Sequence, residues 1–346
     1  MALKLLKQAW NPPADPDLSF AGRTIVVTGS NCGIGYEAAL KFHRLGCERL
    51  ILGVRNISAG EEARRRILDT CLAAKGDIEV WPVDMASYPS MQSFASRLSQ
   101  LPTLDIAVLN AGVLFSSYAA SEYGFERTIQ INTVSTILLA LLILPKLRAS
   151  KTSSFIPVLE FTSSGNHRTV TWDTALASSS TPLRTLNDRA STQYNTSQYY
   201  DSSKLLLMCS LPHLCRLARS DPAQRTNTAP LPDRGQEIDA IITSACPGFT
   251  KTGLARDVLR PWMAPLWTVG MFFIGRTAEQ GSRSLVSGVT RGRESHGGFW
   301  QHDKFQGYAG LYACFERLRH FWLASKERRE LRTYGSKFLM RLKERS

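Results

Sequence analysis

Short apolar runs rich in β-branched residues alternate with longer stretches of helical pattern. Residues 24–28, 49–55, 77–83, 104–109, 155–161 and 238–245 predict six strands. Residues 34–44, 58–74, 90–99, 125–147 and 200–218 predict helices between them, with Ser58-Ala-Gly-Glu61 fitting a capping box. The run Ile137-Leu-Leu-Ala-Leu-Leu-Ile-Leu144 is only eight residues long. Crossing a bilayer needs about 20, so the run reads as a buried helix or a subunit-pairing face. The stretches 165–197, rich in Ser and Thr, and 220–235, with three prolines, read as loops. This rhythm predicts an α/β protein, a single domain with a doubly wound parallel sheet covered on both faces.

Ligands of such sheets bind beyond the carboxyl ends of the strands. Gly29, Arg55, Asp84, Asn110, Ser164 and Pro247 all follow predicted strand ends. The first strand runs into Thr28-Gly-Ser-Asn-Cys-Gly-Ile-Gly35, then a helix. Glycines there let backbone approach a pyrophosphate, and the helix start offers unpaired N–H groups. Gly29, Ser30, Asn31, Gly33, Ile34 and Gly35 are the candidate phosphate-binding residues. Their spacing, G-x-x-x-G-x-G, differs from the commoner G-x-G-x-x-G fingerprint.

Composition changes this picture little. The chain has 346 residues, 43% hydrophobic, with a net charge of +13. From Glu316 to Arg345, ten Lys or Arg stand against four Glu, a local +6, so part of the charge belongs to a basic helical tail. No nucleic-acid motif or aromatic-basic interleaving accompanies it, and no nucleic-acid partner is expected. Seven scattered cysteines, without a C-x-x-C pair, argue against a disulfide framework or a metal site and for a reducing, cytoplasmic compartment. Residues 1–10 mix charge with apolar side chains and read as a short amphipathic helix before the Asn11-Pro-Pro13 break. His43, His167 and His296 are lone histidines and read as structural or exposed.

The ordered motifs resemble the short-chain dehydrogenase/reductase family, of Rossmann-type fold. They are T-G-x-x-x-G-I-G (Thr28 to Gly35), Asp84 after the third strand, and N-A-G (Asn110 to Gly112). Asn132, the Ser163-Ser164 pair, Y-x-x-x-K (Tyr200 to Lys204) and P-G-x-x-x-T (Pro247 to Thr252) follow. The likeness covers about residues 22–300, and T-G-S-N-C-G-I-G with G-V-R-N looks most like the retinol-dehydrogenase and protochlorophyllide-reductase branch. The expected division is an N-terminal extension at 1–21, the family domain at 22–310 and the tail at 311–346. Leu109 stands where the family usually has Asn, and the interval from Ser164 to Tyr200 carries an insertion.

The resemblance implies an NADP(H)-dependent oxidoreductase interconverting a carbonyl and an alcohol on a small molecule. Tyr200 is the implied proton donor and acceptor. Lys204, on the same helix face, would lower the phenol's pKa from about 10 and hold the nicotinamide ribose. Ser164, in preference to Ser163, would bind the substrate oxygen, and Asn132 would hold a relay water. Tyr199 is the rival phenol. Asp84 is implied for adenine, and Asn110, Ala111 and Gly112 for the adenosine ribose region. Pro247, Gly248, Phe249 and Thr252 are implied for the carboxamide. NADP is expected over NAD because the second strand ends in Gly53-Val-Arg55, with a guanidinium and no acid. A non-catalytic NADP(H)-binding regulator or scaffold is the alternative.

One further stretch stands out. Residues 262–275, with Trp262, Trp267 and Phe272, are nearly all apolar, yet fourteen residues are too short to span a bilayer. They follow the Pro-Gly turn, where the family places a substrate flap, so the expected substrate is hydrophobic. Core packing and peripheral membrane contact are the other readings. A homo-oligomer is a further open partner reading.

Overall fold

In the computed structural model, residues 8–173, 176, 179, 181–189, 192–225, 237–255, 258 and 273–306 are described. The apolar segment at 262–272, the basic tail and residues 1–7 lie outside the described residues, as do the expectations placed on them.

Each apolar run becomes a strand of one sheet. The strands are β1 (Thr24–Thr28), β2 (Arg49–Val54), β3 (Asp77–Pro82), β4 (Ile106–Leu109), β5 (Val158–Thr162), β6 (Ile241–Ala245), β7 (Phe299–Gln301) and β8 (Lys304–Gln306). Their spatial order is β3-β2-β1-β4-β5-β6-β7-β8. All pairings are parallel except the β7–β8 hairpin. The order reverses at β1 and β4, which opens a crevice at the carboxyl edge.

The helices are α1 (Gly33–Arg44), α2 (Ile57–Thr70), α3 (Tyr88–Ser99), α4 (Arg127–Ala149), α5 (Pro182–Arg189), α6 (Thr196–Leu217) and α7 (Ala278–Gly288). They cover both sheet faces. Val26, Ile51, Ala107 and Leu159 pack with α3, α4 and α6. Ile25, Val27, Leu50 and Val108 pack with α1, α2 and α7. Successive residues of these inner strands therefore enter opposite cores, which is why β1, β2 and β4 are nearly continuous apolar runs, whereas edge strands β3 and β8 carry exposed residues.

The long apolar helix α4 has the length and hydropathy to cross a membrane, but 83% of its apolar window is buried inside the fold. It is a core helix. Gln130–Ser135 within it is a π-type segment.

Several local expectations are corrected. Helix α2 is capped by Asn56, whose side chain accepts from Ala59 N, and not by a box opening at Ser58. Among the described residues a capping box stands at Thr277–Gln280, at the start of α7. The stretch expected as a loop after Ser164 contains a 3-10 turn at Gly165–Arg168 and helix α5. Buried Leu186 docks α5 on Tyr199, a tertiary contact that polar composition conceals. The hairpin β7–β8 and helix α7 were not foreseen at all. Its turn residues His302 and Asp303 both sit at φ 55, the conformation of a two-residue hairpin, but without the usual Asn-Gly.

Candidate functional site

Gly29 and Gly33 sit at φ +66 and +59, where a side chain would be strained. A Cβ on Gly29 would come within 3.0 Å of Ala111 Cα, and one on Gly35 would strike the Asn110 amide and the Gly29 carbonyl. The glycine turn is thus pressed directly onto the N-A-G turn after β4. Ser30 is buried and donates to Val27 O at 2.9 Å, bracing the turn. Asn31 and Ile34 flank it, half-buried. Cys32, the N-cap of α1, provides no side-chain cap. The first N–H groups of α1 are therefore placed for an anion.

Arg55 lies exposed just past β2 and makes no ion pair among the described residues. Asp84 lies just past β3, half-buried, its carboxylate accepting from Ala86 N at 2.9 Å. Asn110 has a structural part within the sheet. Its Nδ2 donates to Thr28 O and Gly29 O, at 3.1 and 3.4 Å, and its Oδ1 accepts from Thr162 Oγ1 at 3.3 Å. The side chain is committed to joining β1, β4 and β5. Ala111 N donates to Thr28 Oγ1 at 3.1 Å. A Cβ on Gly112 would lie 3.3 Å from Asn132 Oδ1 and 3.7 Å from Lys204 Nζ.

Helix α6 is capped by Asn195, whose side chain accepts from Gln198 N at 3.0 Å. Tyr200 lies in its second turn and Lys204 one turn further. Lys204 is buried and donates to Thr162 O at 2.9 Å, with Nζ 5.8 Å from the Tyr200 ring centroid. Burial pushes its pKa down to about 8, and neighbouring Cys246 opposes the shift. The Tyr200 phenol is shifted opposite to expectation. Burial raises its pKa well above the ordinary value, Cys246 and Asp201 add to this, and a hydrogen bond with Ser164 pulls it back. The reason is geometric: the Lys204 ammonium is directed to the Thr162 carbonyl, so desolvation of the phenol dominates.

Of the serine pair, Ser164 is the one that acts on the Tyr200 phenol, lowering its pKa against burial; its Oγ accepts from Asn166 N at 3.3 Å. Ser163 Oγ is buried and has no partner among the described residues. Tyr199 is removed as a rival: it is buried, its hydroxyl donates to Leu186 O at 2.9 Å, and burial pushes its pKa to about 12. Asn132, in the π-type segment, accepts from Val113 N at 2.8 Å. It donates to Val113 O at 2.9 Å and Ser203 Oγ at 3.1 Å. Its amide clamps the loop after β4 to α6. Interrupted helix geometry is common where a side chain is re-aimed toward a site.

At the far side, Gly248 has φ +82. Thr250 Oγ1 bonds Pro247 O and Gly248 O, each at 3.2 Å, and Phe249 O accepts from Arg276 N at 2.9 Å. This turn carries Thr252 to the glycine turn, 3.8 Å from where a Gly33 Cβ would stand. Two motifs more than 200 residues apart in sequence thus face each other.

Motif reading missed two residues. Cys246 is buried, and its sulfur accepts from Gly165 N at 3.2 Å, Gly248 N at 3.4 Å and Gln301 Nε2 at 3.2 Å. It ties the Ser164 loop to the Pro-Gly turn. His167 Nδ1 lies 2.6 Å from the Ser164 carbonyl. A carbonyl only accepts, so Nδ1 carries the proton. Burial lowers the ring's pKa to about 4, keeping it neutral. His167 thus braces the serine. Only the adjacency of each to a motif residue marks it in sequence.

Comparison with known proteins agrees with this geometry. The short chain dehydrogenase family profile matches residues 23–172. The chain is 43% identical over 296 residues to the short-chain dehydrogenase/reductase ffsI of Aspergillus flavipes, covering 85% of this chain and 81% of that one. It is 41% identical over 298 residues to the short-chain dehydrogenase/reductase phmF of Phaeosphaeria nodorum, covering 85% and 81%. Among solved structures it resembles a short-chain dehydrogenase from Sphingobium yanoikuyae in complex with NADPH. The TM-score is 0.55 at 17% identity, covering 87% of this chain and 94% of that one. A short-chain type dehydrogenase/reductase from Mycobacterium marinum also has TM-score 0.55, at 16% identity, covering 87% and 97%. With the sheet order, the glycine turn and the Ser–Tyr–Lys cluster in place, and relatives matching along most of their length, this chain belongs to the short-chain dehydrogenase/reductase family of oxidoreductases.

Proposed function

We propose that the protein interconverts a carbonyl and an alcohol on a small hydrophobic substrate with NADP(H), Tyr200 moving the proton. The observation that carries this reading is the meeting of Tyr200, buried Lys204, whose Nζ is 5.8 Å from the phenol ring centroid, and Ser164, which acts on the phenol, at the edge where the glycine turn and Thr252 meet.

The residues present suit a dinucleotide. Added Cβ atoms at Gly29 or Gly35 would strike the N-A-G turn, and the start of α1 lacks a side-chain cap. The turn at 29–35 would hold the pyrophosphate, Asp84 the adenine, and Thr252 with residues 247–249 the carboxamide. Bound NADPH would supply the hydride. Arg55, exposed and without an acidic partner among the described residues, supports a 2′-phosphate. The Sphingobium yanoikuyae short-chain dehydrogenase, whose structure is a complex with NADPH, supports the same choice.

Ser164 would orient the substrate oxygen against the Tyr200 hydroxyl. In reduction, Tyr200 gives its proton to that oxygen; in oxidation it takes one away. Burial holds the phenol protonated, which is the form that donates in the reductive direction. The apolar composition of residues 262–275, which follow the Pro-Gly turn in sequence, supports a hydrophobic substrate. The six described cysteines are free thiols, which supports a reducing, cytoplasmic setting.

Tyr200→Phe removes only the hydroxyl. It should abolish turnover on a panel of hydrophobic ketones and aldehydes while NADPH binding persists; retained turnover refutes the proton role. Arg55→Ala should lower kcat/KM with NADPH by about tenfold or more and leave NADH nearly unchanged. Equal losses with both cofactors would refute the phosphate contact.

A further inference from the structure

We propose that Arg276 is a positioning residue for the nicotinamide end of the site, and that it acts by binding residues 8–15 as a strap over the Pro-Gly turn. The inference rests on the reading above that this turn receives the nicotinamide.

Arg276 is 0% exposed. Its Nε donates to Gln8 O at 3.0 Å, and its terminal nitrogens donate to Asn11 O at 3.0 Å and Pro247 O at 3.3 Å. A terminal nitrogen also lies 2.9 Å from His302 Nδ1, which must accept because guanidinium only donates. No carboxylate bonds it among the described residues. Burying a cation is costly unless its donors are met. Here they are met by three separate segments: the strap, the Pro-Gly turn and the β7–β8 turn. Its backbone pairs with the same turn, N to Phe249 O at 2.9 Å and O from Lys251 N at 2.8 Å.

The hairpin supplies a second, independent observation. His302 and Asp303 both hold φ 55, a left-handed conformation that non-glycine residues adopt only at a cost. Each turns a side chain to the same assembly: His302 to Arg276, and Asp303 Oδ2 to Ala14 N at 2.9 Å. The strap is anchored beyond them too. Pro13 O accepts from Arg283, and Asp15 bonds Lys41 at 2.6 Å and Arg44 at 3.0 Å. The Gln8 side chain lies against Gly248, where a Cβ would collide with it. Strained turn, buried cation and strap all converge on the turn that brings Thr252 to the glycines.

The test uses full-length variants Arg276→Lys, Asp15→Ala and His302→Ala. Dissociation constants are read by fluorescence for NADPH and for 2′-phospho-ADP-ribose, which lacks nicotinamide. Lysine cannot span the fork's acceptors, so Arg276→Lys should weaken NADPH about tenfold. The truncated ligand should bind as to wild type. Asp15→Ala and His302→Ala should shift NADPH in the same direction by about threefold each, and they carry the test if Arg276→Lys fails to fold. Unchanged NADPH affinity in the folded variants overturns the proposal, as does a parallel loss for both ligands, which would make Arg276 a general stability residue. Thr252→Ala is the control. If it weakens NADPH while the three variants do not, Arg276 fails alone; if none of the four does, the assignment of the turn fails and the proposal with it.

Discussion

Lys204 should destabilise the fold that holds it. Its side chain is 5% exposed overall, and burial moves its pKa from 10.5 to about 8. The unfolded chain therefore binds this proton more tightly than the folded chain does. Between pH 8 and 10.5 the unfolded state carries more protons, so stability rises with pH across that window. Below pH 8 both states are charged, and the folded state bears the whole desolvation penalty. At about 1.4 kcal/mol per pH unit, that penalty is roughly 3 kcal/mol. Lys204→Met keeps the length and removes the charge. It also removes the 2.9 Å hydrogen bond to Thr162 O, worth about 1.5 kcal/mol from a charged donor. The variant should therefore be more stable than wild type at pH 7 by about 1–2 kcal/mol, with Tm higher by a few degrees. Its advantage should vanish as pH passes 10, and it should be inactive. Calorimetric or circular-dichroism melting of both proteins from pH 6 to 10.5, without cofactor, provides the check. Parallel pH profiles, or a Met variant less stable at pH 7, would refute the reasoning.

Two further outcomes follow from the site. Ser164→Ala should lower kcat by about a hundredfold or more because it removes the hydroxyl proposed to orient the substrate oxygen, whereas Ser163→Ala, deleting a buried hydroxyl without a partner among the described residues, should keep activity and leave Tm unchanged or slightly raised. Cys246→Ala should leave three N–H donors without their sulfur, lowering stability by about 1–3 kcal/mol and kcat with it, while Cys246→Ser should recover most of both; a silent Cys246→Ala in melting and turnover assays would show that the sulfur does not hold the serine loop.

Much of this architecture was legible in one dimension. Inner strands buried on both faces leave continuous apolar runs, and such runs need no partner to be recognised. Left-handed glycines at 29 and 33 are demanded by the local turn itself. The strand-end positions of Arg55, Asp84, Ser164 and Pro247 followed from the α/β rhythm alone. Tertiary structure decided what the polar side chains do. Asn110 and Asn132 have the residue types of ligand contacts, yet their amides join strands and helices 19 to 82 residues away. Tyr200 was expected to be made acidic by Lys204, but the lysine's acceptor is Thr162, 42 residues distant, and burial prevails. Cys246, His167 and Arg276 carry no motif, because their roles consist of partners that the fold delivers. Periodicity and turn chemistry are short-range and are written in neighbouring residues. Hydrogen-bond partnership and desolvation depend on what the folded chain brings alongside, as when Arg276 meets Gln8 across 268 residues.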